Sequence, residues 1–192
     1  MVAVKKQTNT FDEQKKKQLG KEDLSSIGSW DKKIAVLCNK INKNKNYYTT
    51  SSCAGRIVLL KGEIDKEPGK FLFRTHEKTN FNEMKKAFSE LDYSGLVEFK
   101  QSPCILHVAC RTLEDAEKLV NHGRLAGWKH SGIMGIKKRV MVELLSTEHV
   151  DFPIMKNSKV LIDDDLLKII ISESNMRLER TWSKINRLKE MI

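Results

Sequence analysis

A short polar segment after residue 48 joins residue types that rarely occur together in a packed strand. Its candidate binding residues are Ser51, Ser52, Cys53, Gly55 and Arg56. The two hydroxyls, the backbone amides beside the glycine and the planar guanidinium suit a carboxylate or phosphate held close to the main chain. The alternative is a polar hairpin turn whose arginine bonds to nearby carbonyls, since small polar residues are typical of turns.

A second group of reactive side chains lies at residues 105–111. Strand alternation places His107 on the face opposite Cys110, and an imidazole there could take up a proton. The alternative is a histidine that only satisfies hydrogen bonds in the core. Arg111 ends this strand directly before a predicted helix start, so the guanidinium and the helix N-terminus would both attract an anion. A structural salt bridge is the alternative role for Arg111.

Further candidates are acidic, imidazole or thiol side chains with weaker signals. Asp23 and Asp31 flank a turn-rich stretch that contains Ser25. We interpret Asp31 as an acid in the first turn of a helix, where it stabilises the helix dipole. His76 follows a predicted strand, and its role is open. The cysteines show neither the C-x-x-C spacing nor the histidine pattern of zinc sites, so the sequence predicts no metal site.

The charge of the chain indicates an anionic partner. Lys and Arg outnumber Asp and Glu by 35 to 25, a net charge of +10, which favours nucleic acid without distinguishing RNA from a membrane surface. Basic clusters with interleaved Tyr47, Tyr48 and Trp128 are typical of an RNA-binding surface, and ordinary solvated helix faces are the alternative. No apolar run reaches the roughly 18 residues of a membrane helix, and the N-terminus lacks the apolar core of a signal peptide. We therefore expect a cytoplasmic protein without membrane contact.

Apolar periodicity predicts the elements that must position these residues. The expected helices are Phe11 to Leu19, residues 31–44, capped helices after Asn80 and Thr112, and a long C-terminal helix from Asp163. The expected strands are residues 47–50, 56–61, 71–75, 96–100, 105–110, 128–133 and 139–145. No glycine-rich dinucleotide or phosphate loop is recognisable, so the fold is expected to be non-Rossmann. The pattern predicts a single α+β domain over residues 1–192, with a basic N-terminal arm at 1–22 and a core of mixed β-sheets at 23–192.

A weak internal repeat suggests a duplicated core. The helix at 31–44, the loop at 50–56 and the strand at 57–60 parallel the helix at 113–126, the loop at 130–135 and the strand at 140–144. If the repeat is real, a ligand would lie in the cleft between the two loops, a common place for small-molecule sites. The second loop contributes Ser131 and Gly132 as candidate binding residues. Chance similarity is the alternative, because the two copies share few residues.

Four ordered motifs resemble the wybutosine-synthesizing protein three family. The matching residues are Asp23-Leu24-Ser25 with Gly28 and Asp31, Thr49 to Arg56, Leu106-His107-Val108 with Cys110-Arg111, and Ser131-Gly132-Ile133. The match runs in order from about residue 11 to the C-terminus, and it indicates an archaeal member. The chain departs from the family pattern at Ser26 and Ile27, and also at Phe71, where tryptophan is common.

The resemblance implies an S-adenosylmethionine-dependent methyltransferase that methylates N4 of the wyosine-type base beside the anticodon of tRNA(Phe). On this interpretation His107 is the first candidate for the base. The implied cofactor- or substrate-binding residues are Ser51, Ser52, Cys53, Gly55, Arg56, Arg111, Asp23, Ser25, Ser131 and Gly132. The implied cofactor is S-adenosyl-L-methionine and the implied partner is the anticodon region of tRNA(Phe), with a monomer favoured. The alternative function is a non-catalytic RNA-binding module that uses the same basic surface.

Overall fold

A computed structural model describes residues 10–21, 31–62 and 70–192. The elements in these residues are α1 (Phe11–Leu19), α2 (Lys32–Lys43), β1 (Tyr47–Cys53), β2 (Arg56–Lys61), β3 (Phe71–Thr75), α3 (Phe81–Ser89), β4 (Val97–Ser102), β5 (Ile105–Cys110), α4 (Leu113–Leu125), β6 (Gly132–Gly135), β7 (Val140–Leu145), β8 (Val150–Lys156), β9 (Lys159–Val160) and α5 (Asp164–Met191). Helices lie between groups of two to four consecutive strands, and the expected α+β class with a long C-terminal helix is confirmed.

The strands form two sheets. The first sheet has the strand order β1-β5-β7-β6, and the second sheet has the order β3-β2-β4-β8-β9. Every strand pair within the described residues is antiparallel, which corrects the mixed sheets expected from the sequence. The reason lies in the connections. Helices α3 and α4 each join two strands that have a third strand between them, so the joined strands are not neighbours.

A tight turn at Ala54 and Gly55 takes the chain from the first sheet into the second. Gly55 has φ +93°, a left-handed conformation that side chains disfavour. A Cβ at this position would lie 3.1 Å from the Ser102 carbonyl oxygen and 3.2 Å from Leu178 Cδ2. The glycine is therefore required by the backbone. The polar segment expected to be a loop is largely strand, because β1 continues to Cys53 and β2 begins at Arg56.

The first core lies between the first sheet and helices α2 and α4. Helix α2 buries Ile34, Leu37, Cys38 and Ile41, the spacing that the sequence predicts for a helix with one apolar face. Burial raises the pKa of the Cys38 thiol to about 11, so it stays protonated at neutral pH. Cys38 is therefore confirmed as a small core residue.

Helix α5 belongs to both cores. Its first half packs Leu167, Ile171 and Leu178 into the second core, against the second sheet and α3, and its last turns pack Ile185 and Leu188 into the first core. Trp182, which lies between these two groups of residues on α5, packs against both cores. Each fully buried side chain of this size contributes about 1.5–3 kcal/mol of transfer free energy. A single helix therefore holds the two sheets in one arrangement.

The duplicated core expected from the sequence does not extend to the sheets. The strand of the first copy, β2, belongs to the second sheet, whereas the strand of the second copy, β7, belongs to the first sheet. The two copies agree only in their helices: α2 of the first copy and α4 of the second both pack on the first sheet and contribute to the first core. Among the residues that the structure describes, no helix is both long and apolar enough to cross a membrane.

Candidate active site

Four residues form a row across the face of the first sheet that lies opposite the first core. The strand register places Ser51 of β1 beside His107 of β5. Glu143 of β7 lies beside His107 and also beside Gly132 of β6. We call these four residues the sheet row. A Cβ on Gly132 would meet no atom within 4 Å, so that end of the row offers open space for a ligand.

Hydrogen bonds connect three members of the sheet row. The Oγ atom of Ser51 lies 2.7 Å from His107 Nδ1, and His107 Nε2 lies 2.8 Å from Glu143 Oε2. A carboxylate only accepts, so this network assigns the hydrogen to Nε2 and leaves Nδ1 to accept from the Ser51 hydroxyl. The side chains of His107 and Glu143 are 25% and 30% exposed. A proton released by a ligand above the row can therefore pass through Ser51 to His107.

Helix α1 covers one end of the same face. The rings of Phe11 and Tyr48 lie 5.1 Å apart, and the Tyr48 hydroxyl lies 3.4 Å from Gln14 Oε1. Tyr48 pairs with Ala109, two residues from His107 along β5. The helix expected at Phe11 to Leu19 is therefore confirmed, and it forms one wall of the site.

A second histidine–carboxylate pair lies at the end of β1. The Oδ2 atom of Asp31 accepts from His76 Nδ1 at 2.9 Å and from the Ala54 amide at 3.1 Å. The other carboxylate oxygen caps α2, so Asp31 is the N-cap and not a first-turn residue. Cys53 Sγ lies 4.0 Å from His76 Nδ1. Because Cys53 follows Ser51 by two residues on one strand, the two histidines flank the same end of β1.

The pair is charged at neutral pH. The hydrogen bond that His76 donates to Asp31, followed by its contact with Cys53, raises the pKa of His76 to about 9 despite its burial. For Asp31, burial raises the pKa, but hydrogen bonds from His76 and from backbone amides outweigh burial and hold the pKa below its usual value. The Nε2 atom of His76 is buried and has no hydrogen-bond partner among the described residues. A charged donor is therefore left for an anionic ligand.

The same cluster has the composition of a metal site. Donor atoms of Asp31, Cys53 and His76 lie within 4.8 Å of one another. A metal ion would have to displace the proton that the raised pKa of His76 keeps on the imidazole. The proton and the hydrogen bonds already account for the arrangement. The absence of a metal site therefore stays our prediction.

The raised pKa of His76 makes stability depend on pH. Stabilisation by the pair is fully present below the unfolded-state pKa near 6.5 and is lost as pH rises through about 9. We expect the free energy of unfolding in urea to fall by about 3 kcal/mol over this range, and a His76→Gln variant to lack this fall. The exposed His149 provides the matched control, His149→Gln. Parallel pH profiles for wild type and His76→Gln would contradict the assignment.

The two arginines expected to bind anions point away from the sheet row. The guanidinium of Arg56 lies 5.0 Å from the Phe71 ring centroid on the second sheet. Arg111 donates to both carboxylate oxygens of Asp12 in α1, at 3.2 and 2.5 Å, and to the Lys45 carbonyl at 2.9 Å. The salt bridge that was the alternative for Arg111 is thus the observed contact, and it fastens α1 to the sheet.

Other predicted site residues take different positions. Ser131 is buried, donates to the Trp128 carbonyl at 2.5 Å and accepts from the Leu145 amide at 3.3 Å, so its hydroxyl is used inside the fold. Ser52 lies on the other face of β1 from Ser51, beside Cys38. Asp23 and Ser25 lie outside the described residues. Of the predicted residues, the structure brings together Ser51, Cys53, His107 and Gly132.

The chain matches a known protein family over almost its whole length. A family model described as methyltransferase TYW3 matches residues 5–192. The chain belongs to the TYW3 family. The resemblance drawn from four motifs is thereby confirmed.

Relatives within the TYW3 family are similar over almost their full length. A protein of Thermococcus sibiricus is 37% identical, over 95% of this chain and 94% of its own. A protein of Methanocaldococcus jannaschii is 36% identical, over 94% of this chain and 98% of its own. Both are named tRNA(Phe) 7-((3-amino-3-carboxypropyl)-4-demethylwyosine(37)-N(4))-methyltransferase.

A solved structure has the same fold. The PH1069 protein of Pyrococcus horikoshii superimposes with a TM-score of 0.85 and is 34% identical, over 95% of this chain and 94% of its own. The arrangement of two sheets and a long C-terminal helix is therefore that of a solved protein.

In this TYW3-family chain, sequence reasoning missed Glu143 and left Asp31 and His76 without a chemical role. Glu143 is the single charged residue in the apolar strand Val140–Leu145, and an acid in such a strand is a signal that could have been used. Its pairing with His107 depends on the register between β5 and β7, which the pattern of either strand alone does not give.

Proposed function

We propose that this protein is an S-adenosylmethionine-dependent methyltransferase that methylates N4 of the 4-demethylwyosine-type base at position 37 of tRNA(Phe). The aminocarboxypropyl form of that base is the proposed substrate, after the names of the relatives. The observation that carries the proposal is the hydrogen-bonded line of Ser51, His107 and Glu143 on an open sheet face. Methylation of an N–H nitrogen must remove a proton, and this line accepts one.

Ser51, His107 and Glu143 each have a separate role in the removal of the N4 proton. Ser51 Oγ accepts the N4–H hydrogen bond and orients the nitrogen lone pair toward the incoming methyl group. As the N4–CH₃ bond forms, the N4 proton moves to Ser51 while the serine proton moves to His107 Nδ1. Glu143 stabilises the resulting imidazolium through Nε2. Ser51 ends the step as a hydroxyl, and His107 carries the released proton until solvent takes it.

The second histidine pair fits the cofactor. S-adenosylmethionine supplies a methyl group bound to a positively charged sulfur, and sulfur leaves as a neutral thioether. The buried Nε2 of His76, which lacks a partner among the described residues, suits the methionine carboxylate. Asp31 holds this imidazole in position through Nδ1. The open space at Gly132 leaves room for a large planar base over the sheet row.

The remaining surface suits tRNA. The net charge of +10 favours a polyanion, and Arg111 fixes the basic helix α1 beside the site through Asp12. We propose that residues 1–192 act as one cytoplasmic methyltransferase domain and as a monomer, with residues 1–22 as a basic arm along the RNA.

The test is transfer of a labelled methyl group. The protein is incubated with methyl-labelled S-adenosylmethionine and tRNA(Phe) that carries the unmethylated precursor base. We expect label in nucleotide 37 after nuclease digestion, and none in tRNA(Phe) that lacks the precursor. Tight binding of the precursor tRNA with no label transferred would overturn the enzyme and support the non-catalytic RNA-binding module.

A further inference from the structure

Two arginines of the second sheet meet on one aromatic ring. The guanidinium carbons of Arg56 and Arg74 lie 5.0 and 5.3 Å from the ring centroid of Phe71. Phe71 is 43% exposed. We call Arg56 and Arg74 the arginine pair. Each guanidinium gains cation–π attraction, but two like charges are brought close together at the surface.

Strand register explains why the two arginines share one face. Arg56 and Val58 alternate onto the same face of β2, and Arg74 of β3 lies opposite Val58. Phe71 stands at the register shift between β2 and β3, which brings its ring across toward both side chains. The grouping is thus set by the backbone of the sheet.

The positive charge of Arg56 is not neutralised within the described part of the chain. Its guanidinium has no carboxylate there, and its Nε atom is buried without a hydrogen-bond partner. The acids on the neighbouring strands, Glu98 and Asp151, are bound to Lys100 at 3.0 and 2.8 Å. An arginine held by stacking, with donors left over, is arranged to receive an anion from outside.

The arginine pair adjoins the candidate active site. Arg56 lies three residues after Cys53, and Arg74 lies two residues before His76. Cys53 Sγ and His76 Nδ1 are 4.0 Å apart, so the two strands come together between the site and the pair. An RNA strand whose modified base lies over the sheet row would therefore bring a neighbouring phosphate to this rim.

We propose that Arg56 and Arg74, positioned by Phe71, bind a phosphate of the RNA backbone beside the modified nucleotide. This deepens the proposed function and rests on it. Guanidinium groups match the paired oxygens of a phosphate, and their positive charge complements its negative charge. The contact would fix the register of the anticodon loop without reading its sequence.

The test is equilibrium binding of tRNA(Phe) by the full-length protein over a series of salt concentrations. We expect Arg56→Gln and Arg74→Gln each to weaken binding about tenfold and to reduce the slope of log affinity against log salt by about one. Arg56→Lys keeps the charge but loses the fork and the stacking, so it should restore the slope without restoring the affinity. Phe71→Leu should weaken binding with the wild-type slope.

Matched controls come from surface residues elsewhere. Lys86 of α3, which pairs with Glu90 just after the helix, gives Lys86→Gln as the charge control. Phe81, which lies beneath Lys85 and Lys168, gives Phe81→Leu as the ring control. Both controls should bind tRNA as wild type does, and thermal unfolding verifies that every variant is folded.

Two results would overturn the phosphate site. Wild-type affinity and salt slope in both glutamine variants would show that neither arginine contacts a phosphate. Loss of S-adenosylmethionine binding in dialysis, with tRNA binding unchanged, would assign the arginines to the cofactor carboxylate instead. Neither result bears on methyl transfer itself, which fails separately if the wild-type protein transfers no methyl group to precursor tRNA; the second result would also move the cofactor carboxylate away from His76.

Discussion

Replacement of His107 by alanine is expected to lower kcat for methyl transfer by about 10² to 10⁴, the usual contribution of a positioned general base. The imidazole lies between Ser51 and Glu143 in the Ser51–His107–Glu143 line, so it is the group placed to take the serine proton. The measurement is the initial rate at saturating S-adenosylmethionine and precursor tRNA, over a range of pH. His149, an exposed histidine bonded to the Thr147 carbonyl, gives the control variant His149→Ala.

A second variant separates chemistry from packing. Glu143→Gln keeps the size of the side chain but can donate to Nε2, which would move the imidazole hydrogen to Nδ1. Ser51 could then no longer donate to that nitrogen, so the rate should fall although the fold is retained. Full methylation by His107→Ala at every pH tested would exclude His107 as the base.

Loss of Lys184 is expected to destabilise the protein by about 3 kcal/mol or more. Lys184 of α5 pairs with Glu148 in the segment that joins β7 to β8, and the two side chains are only 12% and 10% exposed. Burial raises the pKa of Glu148, but the bond to Lys184 outweighs it and holds the pKa below its usual value. The variant Lys184→Met leaves a buried carboxylate without its counter-charge.

A double-mutant cycle checks the cause. Urea unfolding should show that Lys184→Met with Glu148→Leu is markedly more stable than Lys184→Met alone, because no buried charge remains. The exposed pair of Lys168 and Asp165 gives the control Lys168→Met, which should unfold at close to the wild-type urea concentration. A Lys184→Met variant as stable as this control would contradict a structural role for the buried pair.

Local sequence patterns predict most of the helices and strands of this fold. The apolar spacing of α2 and the caps at Asn80 and Thr112 are local, and the structure has each of them as expected. The way the strands combine is not local, since β1 and β2 are separated by one tight turn yet belong to different sheets. The pattern of a strand gives the face of each side chain but not its neighbour.

The candidate site likewise combines residues that local patterns indicate with contacts that only the fold creates. His107 was predicted from its own strand, whereas its partners Ser51 and Glu143 come from strands distant in sequence. Arg56 and Arg111 are predicted binding residues whose side chains contact other parts of the fold, because a long side chain can reach several partners from one backbone position. Arg111 reaches Asp12 on α1, and Arg56 reaches Phe71. Such choices depend on what the fold brings within reach.

Helix α5 has a consequence for how the chain folds during synthesis. It follows every strand that the structure describes, and it supplies side chains to both cores. On the ribosome, β1 and β5 can therefore meet well before either sheet has its full apolar cover, and the nascent chain exposes unfinished sheets until α5 emerges. Pairing of Ser51 with His107 would precede stable folding, and the site would become stable only after α5 has packed against both sheets.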